Sequence, residues 1–294
     1  MKMRYKEYNL SLEKSGPYGI TVGTDGALWF TQHKANSIGQ ITLDGQLTYT
    51  KVPTADAGVL LITSSYNDEL WFTENRGNKI GRLTSEGEIK EYSLPHEDSA
   101  PFGITKGPDG DVWFTETKGN RIGKIASSGE ITEYNLPTGA AFPSYIVGGA
   151  DGALWFTLNQ SNQIGRITVA GNMTLFDLPT ENAGPVGITG GPDDALWFVE
   201  INANQIGRIT LNGEISEYKI PTSHARPHGI VTGPDDALWF TEWGRDQIGR
   251  ITTEGEFKEY QLPTKSAEPH GIILGSDGAL WFAQECNKIG RLSF

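Results

Sequence analysis

The sequence has one cysteine, no run of basic residues and no long apolar segment. With Cys286 alone, no internal disulfide bond can form. The formal net charge of −12, without basic runs that carry interleaved aromatics, makes nucleic acid and anionic membranes poor partners. No segment is long and apolar enough for a signal peptide or a membrane span, so a cytoplasmic, soluble protein is the simplest expectation.

A sustained helical period of apolar residues is also absent, and a repeat takes its place. A Trp-Phe pair recurs every 42 residues, at Trp29, Trp71, Trp113, Trp155, Trp197, Trp239 and Trp281. Each repeat contains four short β-branched or aromatic runs, separated by turns such as Asp25-Gly26 and Asp44-Gly45. This pattern predicts an all-β fold, in which residues 1–294 form one seven-bladed β-propeller of four-stranded antiparallel blades.

The last repeat stops after its third strand, and the N-terminus resembles the missing fourth one. Residues 4–10 match the rim-strand segments 89–94 and 257–262 of other repeats. We therefore expect the N-terminal strand to complete the seventh blade and to close the ring, which removes open sheet edges.

The topology predicts which residues meet at the mouth of the central channel. The start of the innermost strand and the loop between the second and third strands open on the same face. The residue after Pro in the Pro-X-Gly-Ile unit, or its equivalent, lies there in every repeat: Tyr18, Leu60, Phe102, Ser144, Val186, His228 and His270. Two residues earlier, the sixth and seventh repeats carry Arg226 and Glu268. Polar chemistry is thus predicted between neighbouring blades six and seven.

A second set of residues follows Trp-Phe-Thr and reads Gln32, Glu74, Glu116, Leu158, Glu200, Glu242 and Gln284. We interpret the repeated glutamates as a structural ring, paired with basic residues of the third strand: Arg82, Lys124, Arg208 and Arg250. The seventh loop is one residue shorter and reads Gln284-Glu285-Cys286-Asn287. This shortening is expected to draw Glu285 toward the axis, beside Glu268 and His270.

These three residues indicate a specific kind of chemistry. Glu268 and Glu285 offer the oxygen ligands that Mg²⁺ prefers, and His270 is placed to act as a general base near neutral pH. A base beside a Lewis acid suits removal of a proton alpha to a carbonyl, but the same groups also activate water. The residues alone therefore leave elimination and hydrolysis open.

Other candidates carry weaker signals. Trp243 is the eighth tryptophan and lies outside the repeat, in the sixth loop of the functional face. It either forms an apolar platform for a bulky ligand with Tyr18 and Phe102, or shields a neighbouring blade. Cys286 is interpreted as a small filler without a dedicated base. Three further histidines are interpreted as solvated or isolated loop residues: His33, His96 and His224.

At these residues the chain resembles a known family. The motifs are the repeated Leu-Trp-Phe-Thr-Glu and Asn-X-Ile-Gly-Arg-Ile units, with the departures Ala225-Arg226-Pro227-His228, Ser266-Ala267-Glu268-Pro269-His270-Gly271 and Trp281-Phe282-Ala283-Gln284-Glu285-Cys286. Together they resemble the virginiamycin B lyase, or streptogramin B lyase, family over essentially the whole chain. The resemblance implies a monomeric propeller that confers antibiotic resistance. It also implies Mg²⁺-dependent opening of type B streptogramins, which are cyclic depsipeptides, by elimination at the ester.

Carried over by position, the resemblance implies a role for each residue at the channel mouth. His270 would be the general base, Glu268 and Glu285 would bind Mg²⁺, and His228 would contact the small-molecule substrate. Tyr18 and Trp243 are expected as further substrate contacts from their positions in the repeat, not from the resemblance. The proton would come from the alpha carbon of the threonyl unit whose beta oxygen forms the ester. Two alternatives stay open: a metal-dependent lactonase or other hydrolase on the same fold, and a non-catalytic binding propeller.

Overall fold

The computed structural model describes residues 3–65 and 67–294, which form 28 strands and no helix. The strands make seven four-stranded sheets in which every paired neighbour is antiparallel. The prediction of a seven-bladed, all-β propeller is therefore confirmed. The described part of the chain contains no helix, and therefore no helix that is long and apolar enough to cross a membrane.

The first four blades follow the repeat from the innermost strand outward. Blade 1 consists of β2 (Pro17–Val22), β3 (Leu28–Gln32), β4 (Ser37–Ile41) and β5 (Leu47–Lys51). Blade 2 consists of β6 (Val59–Ser64), β7 (Leu70–Glu74), β8 (Lys79–Leu83) and β9 (Ile89–Ser93). Blade 3 consists of β10 (Pro101–Lys106), β11 (Val112–Glu116), β12 (Arg121–Ile125) and β13 (Ile131–Asn135). Blade 4 consists of β14 (Pro143–Gly148), β15 (Leu154–Leu158), β16 (Gln163–Ile167) and β17 (Met173–Asp177).

The remaining three blades continue the same order, and the N-terminal strand joins the last. Blade 5 consists of β18 (Pro185–Gly190), β19 (Leu196–Glu200), β20 (Gln205–Ile209) and β21 (Ile215–Lys219). Blade 6 consists of β22 (Pro227–Thr232), β23 (Leu238–Glu242), β24 (Gln247–Ile251) and β25 (Phe257–Gln261). Blade 7 consists of β26 (Pro269–Leu274), β27 (Leu280–Gln284), β28 (Lys288–Ser293) and β1 (Arg4–Asn9).

The ring closes through β1, as the sequence predicts. This strand pairs antiparallel with β28, from Arg4 opposite Ser293 to Asn9 opposite Lys288. The carboxylate of Glu7 accepts hydrogen bonds from Lys288 Nζ and Thr264 Oγ1, both at 2.7 Å. The first strand is thus held by a ladder and by a part-buried ion pair.

Neighbouring blades are joined near the axis by a threonine hydroxyl. Thr31 Oγ1 accepts from the amide of Gly19 at 2.9 Å and donates to the carbonyl of Leu60, in the next blade, at 2.6 Å. The same bond to the next blade recurs from Thr73, Thr115, Thr157 and Thr241. The acceptor is each time the second residue of the innermost strand, which follows Pro except in blade 2, where Leu60 follows Val59. This bond therefore fixes the backbone of residues that line the channel mouth.

The glutamates at the ends of the second strands are buried, but their predicted pairing with the cations that follow Ile-Gly in the third strand is wrong. Arg208 lies opposite Trp197 in the ladder and Glu200 lies opposite Gln205, three positions away. The arginine therefore reaches the turn between the first and second strands, where it binds Asp193 at 2.7 Å. The cations of the other blades likewise bind turn carboxylates: Arg82 with Glu69, Lys124 with Asp109 and Asp111, and Arg250 with Asp235.

Glu116 binds Arg121, at the start of the third strand, at 2.9 Å, whereas the other three glutamates face a second carboxylate on the rim strand. Burial, and then the nearby charge of Glu217, raises the pKa of Glu200 to about 8. The pKa values of Glu74 and Glu242 are also raised to about 8, by burial and then by Glu91 and Glu259. These glutamates are therefore largely protonated at neutral pH. Protonation removes the repulsion that each would exert, if charged, on its neighbouring carboxylate.

Removal of residues 1–10 is expected to lower the melting temperature and to expose the edge of β28, because the six ladder pairs and the Glu7–Lys288 ion pair are lost. Differential scanning calorimetry measures this change. A truncation of residues 1–3 alone is the control, since it keeps β1. An unchanged melting temperature after removal of residues 1–10 would contradict the closure.

Replacement Glu200→Gln is expected to stabilise the protein at alkaline pH. The folded-state pKa of Glu200 is raised above its ordinary 4.5, so the stability that this group contributes below pH 4.5 is lost as the pH rises through about 8. Glutamine does not titrate and keeps an oxygen for the Gln205 amide, which donates to Glu200 at 3.0 Å. Urea unfolding at pH 5 and pH 9 gives the free energy of unfolding of both proteins. Between these pH values, the free energy of unfolding of the variant should rise relative to that of the parent by about 1 kcal/mol or more. Exposed Glu130→Gln is the control, and an equal pH dependence in parent and Glu200→Gln would refute the raised pKa.

Candidate functional site

Three aromatic side chains from blades 1, 6 and 7 meet at the channel mouth. The ring centroids of Tyr18 and His270 lie 4.5 Å apart, and those of His228 and His270 lie 4.7 Å apart. Both histidines are buried, with exposed fractions of 8% and 6%. Each residue follows the proline that begins an innermost strand, so the ring geometry brings together residues that are distant in sequence.

His228 is held between two tyrosine hydroxyls. Tyr18 Oη lies 3.0 Å from His228 Nε2, and Tyr145 Oη lies 3.4 Å from His228 Nδ1. Burial, and secondarily the neighbouring His270, lowers the pKa of His228 well below its ordinary value. His228 is therefore neutral at pH 7, so one ring nitrogen donates and the other accepts. Burial also raises the pKa of both tyrosines, which keeps their hydroxyl protons in place.

Glu285 lies beside His270, as the shortened seventh loop predicts. Glu285 Oε2 is 2.8 Å from His270 Nε2. Its other oxygen is 2.6 Å from Lys34 Nζ and 3.2 Å from His33 Nε2. The hydrogen bonds from His270, His33 and Lys34 hold the pKa of Glu285 far below its ordinary value. The carboxylate is therefore ionised, and it accepts the Nε2 proton of His270. His270 Nδ1 is buried and has no hydrogen-bond partner among the described residues.

Glu268 adjoins Glu285 through the backbone. The Glu268 carbonyl accepts from the Glu285 amide at 3.2 Å, and the Glu268 amide donates to Asp246 Oδ1 at 3.1 Å. Within the described ranges, the Glu268 carboxylate has no hydrogen bond or ion pair. It lines a cavity of about 380 Å³ together with Arg226 and Trp243. The structure thus brings both predicted carboxylates to the same side of the ring. The carboxylate of Glu285 is hydrogen-bonded, and that of Glu268 is free within the described residues.

Trp243 forms a wall of this region. Its ring stacks on His270 with a centroid distance of 6.1 Å, and the guanidinium of Arg226 lies 5.2 Å from the Trp243 ring. Trp243 Nε1 is buried without a hydrogen-bond partner in the described chain. Phe102 packs edge-on against Tyr18 at 6.3 Å. His270 therefore lies between Trp243 and the Tyr18–Phe102 pair, and the aromatic platform for a ligand stays a prediction.

Sequence reasoning missed three residues of the site, although each carried a signal. Tyr145 stands where most repeats have the glycine of Pro-X-Gly-Ile. His33 occupies the same repeat position as Trp243 and Glu285, so it is not an isolated loop residue, and Lys34 follows it. His33 and Lys34 approach Glu285 of blade 7 because the ring places blade 1 beside it.

Of the remaining candidates, His96 lies outside the site, because its Nδ1 contacts Glu133 at 2.7 Å on the surface. Exposed His224, with a left-handed φ of 58°, lies in a loop that lines the same cavity as Glu268. Burial raises the pKa of the Cys286 thiol to about 11, which disfavours the thiolate that a nucleophile needs. The interpretation of Cys286 as a filler agrees with its packing against the core of blade 7.

Glu268 and Glu285 are the side chains at the channel mouth that could serve as ligands of Mg²⁺. No group of three His, Cys, Asp or Glu side chains in the described chain is arranged to hold a metal ion. Mg²⁺, however, usually takes only one or two protein carboxylates and fills its other positions with water and substrate oxygens. The free carboxylate of Glu268 fits that requirement, whereas the two oxygens of Glu285 already accept hydrogen bonds from His270, His33 and Lys34 and would have to share them with the ion.

Comparison with solved structures defines the class of protein. A selenomethionine-substituted virginiamycin B lyase from Staphylococcus aureus superposes with a TM-score of 0.97 at 57% identity, over 100% of both chains. A catalytically inactive H270A virginiamycin B lyase from the same organism, solved with quinupristin, gives a TM-score of 0.97 at 56% identity, again over 100% of both chains. The chain is thus a β-propeller of the lyase class.

A family model for the virginiamycin B lyase family matches residues 3–292, and the chain belongs to that family. Among curated relatives, virginiamycin B lyase from S. aureus is 57% identical over 54 residues, and that from Bacillus licheniformis is 57% identical over 47 residues. These local alignments span 18% and 16% of this chain and equal shares of the relatives.

Proposed function

We propose that this protein inactivates type B streptogramins by an Mg²⁺-dependent elimination that opens the depsipeptide ring at its ester. The observation that carries the proposal is the arrangement of His270, which has one nitrogen bonded to ionised Glu285 and the other without a partner, next to Glu268. The inactive H270A relative bound to quinupristin supports it, because that chain aligns with this one over its full length.

His270 would act as the base. The hydrogen bond to Glu285 holds a proton on Nε2, which leaves the lone pair on Nδ1. This nitrogen would remove the proton from the alpha carbon of the threonyl unit. The electron pair then forms the alkene between the alpha and beta carbons, and the ester bond from the beta carbon to oxygen breaks. The leaving group departs as a carboxylate, so no water and no covalent enzyme intermediate are needed.

Glu268 and Glu285 would hold the metal ion. When bound, Mg²⁺ would supply Lewis-acid stabilisation of the negative charge that develops when the proton is removed. The chain's own contribution would be to bring together Glu268, whose side chain lines the cavity, and Glu285, whose carboxylate is bonded to His270, on adjoining backbone segments. Lys34 and His33 restrain Glu285 from the side of blade 1, so that this carboxylate stays close to His270.

The substrate would rest against the aromatic side chains of the mouth. Neutral His228, with the hydroxyls of Tyr18 and Tyr145, offers hydrogen bonds without charge, which suits ester and amide groups of a depsipeptide. Trp243 would cover an apolar part of the ring. All these side chains come from one propeller, and we therefore propose that a single chain, as a monomer, carries the complete site.

Incubation with a type B streptogramin is expected to give a linear product of unchanged mass, because elimination adds no atoms. Mass spectrometry distinguishes this product from a hydrolysis product, which is heavier by one water. His270→Ala should lower turnover by at least about 100-fold, the usual contribution of a general base, with unchanged folding. A product with an added water would indicate the lactonase alternative, and near-normal turnover of His270→Ala would exclude the assigned base.

Glu268→Gln is expected to weaken binding of the divalent ion by about tenfold or more, since an amide is a weaker ligand than a carboxylate. Electron paramagnetic resonance of Mn²⁺, used as a substitute for Mg²⁺, measures this binding without turnover. Glu130→Gln is the matched control on an exposed turn and should bind like the parent protein. If Glu268→Gln also bound Mn²⁺ like the parent, the ligands would lie elsewhere.

A further inference from the structure

In six of the seven blades, two neighbours cover the repeat tryptophan. A third-strand cation lies 5.3 to 5.9 Å from its ring: Arg82, Lys124, Arg166, Arg208, Arg250 and Arg291. A rim-strand aromatic ring stacks on it at 5.4 to 5.7 Å: Tyr8, Tyr92, Tyr134, Phe176, Tyr218 and Tyr260. The tryptophans of these blades have exposed fractions of at most 2%.

Blade 1 lacks both neighbours. Gln40 stands at the position of the cation and Thr50 at the position of the aromatic ring. Gln40 is turned toward polar partners, because it donates to Asp25 at 2.7 Å and accepts from Thr48 at 2.9 Å. Trp29 is in consequence only partly buried. We call the space left by these two substitutions the Trp29 slot, defined by Asp25, Trp29, Gln40 and Thr50.

The Trp29 slot opens into a cavity of about 230 Å³ between blades 1 and 2. Its other walls include Leu70 and Gly87 of blade 2. A cavity of about 150 Å³ is large enough for benzene, so this one has room for a single ring with a small substituent. The turns that line it join the first to the second strand and the third to the fourth strand. They lie at the end of the propeller opposite to His270, and the slot is separate from the proposed active site.

The slot also has a carboxylate without a compensating cation. The equivalent aspartates of five other blades each bind an arginine or lysine: Asp109, Asp151, Asp193, Asp235 and Asp277. Among residues 3–65 and 67–294, Asp25 receives hydrogen bonds only from neutral donors, which are Gln40 Nε2, Trp29 Nε1 at 3.3 Å and a backbone amide. Glu69, in the same cavity, is already paired with Arg82. The negative charge of Asp25, which has no cation paired with it among the described residues, therefore lies beside Trp29.

We propose that the Trp29 slot binds a small planar aromatic cation. The ring would stack on Trp29, as a tyrosine or phenylalanine does in the other blades. The positive group would face Asp25, where the other blades place a guanidinium or an ammonium. Stacking and cation–π attraction on a tryptophan each contribute to such binding, and the cavity has the volume for one ring.

Benzamidinium is the probe, because it joins one aromatic ring to one planar cation. Titration of protein with ¹⁵N-labelled tryptophan should move the Trp29 indole signal, assigned with Trp29→Phe, in a saturable way at millimolar concentration. Thr50→Tyr fills the ring position and Gln40→Arg fills the cation position, so each variant should weaken binding by about tenfold or more. Thr50→Ser keeps the space open and should bind like the parent protein.

Neutral benzamide separates stacking from charge, and it should bind about tenfold or more weakly than benzamidinium. His270→Ala should bind benzamidinium normally, because the slot is at the other end of the ring. The proposal is overturned if the Trp29 signal does not saturate up to about 20 mM, if the filled variants bind as well as the parent, or if benzamide binds equally well. Gln40→Arg keeps the test decisive if Thr50→Tyr fails to fold.

Discussion

The close approach of the innermost strands is the constraint on which the site depends. A Cβ atom at Gly19 would lie 2.5 Å from the carbonyl of Leu60, so the strands pack at a separation that only glycine permits there. The threonine hydroxyl that bridges adjacent blades fixes the same carbonyl. With backbones held this closely, the second residues of the seven innermost strands share one small space. Tyr18 and His228 are consequently hydrogen-bonded although 210 residues separate them.

The repeat made most of the architecture predictable, because a 42-residue unit with four short strand-like runs is typical of a propeller blade. It also identified His228, His270 and Glu285, since each departs from what the other repeats carry. Side-chain direction was less predictable. Arg208 was assigned to the wrong carboxylate because its ladder partner, Trp197, lies three residues from the buried Glu200. Such an assignment depends on the position along the strand, which composition does not reveal.

Contacts between blades 7 and 1 are also hard to predict from the sequence. His33 and Lys34 are far from Glu285 in sequence, and only the closed ring brings them within 3.2 Å and 2.6 Å of it. Tyr145 was missed for a different reason. Most repeats have glycine at this position, so they contain no side chain from which the direction of Tyr145 could be inferred. Its hydroxyl crosses the channel mouth to His228.

One position along the chain separates two kinds of glutamate. Glu242 ends its strand inside the protein, where burial and Glu259 raise its pKa to about 8 and keep it largely protonated at neutral pH. Glu285 occurs one position later in its repeat, at the loop, where His270, His33 and Lys34 supply hydrogen bonds and hold it ionised. A protonated glutamate can fill a structural ring but is a poor ligand for a hard cation, whereas an ionised one can orient an imidazole or bind a metal. The shift of a carboxylate from the strand end to the loop is therefore the change that turns a packing residue into a candidate for chemistry.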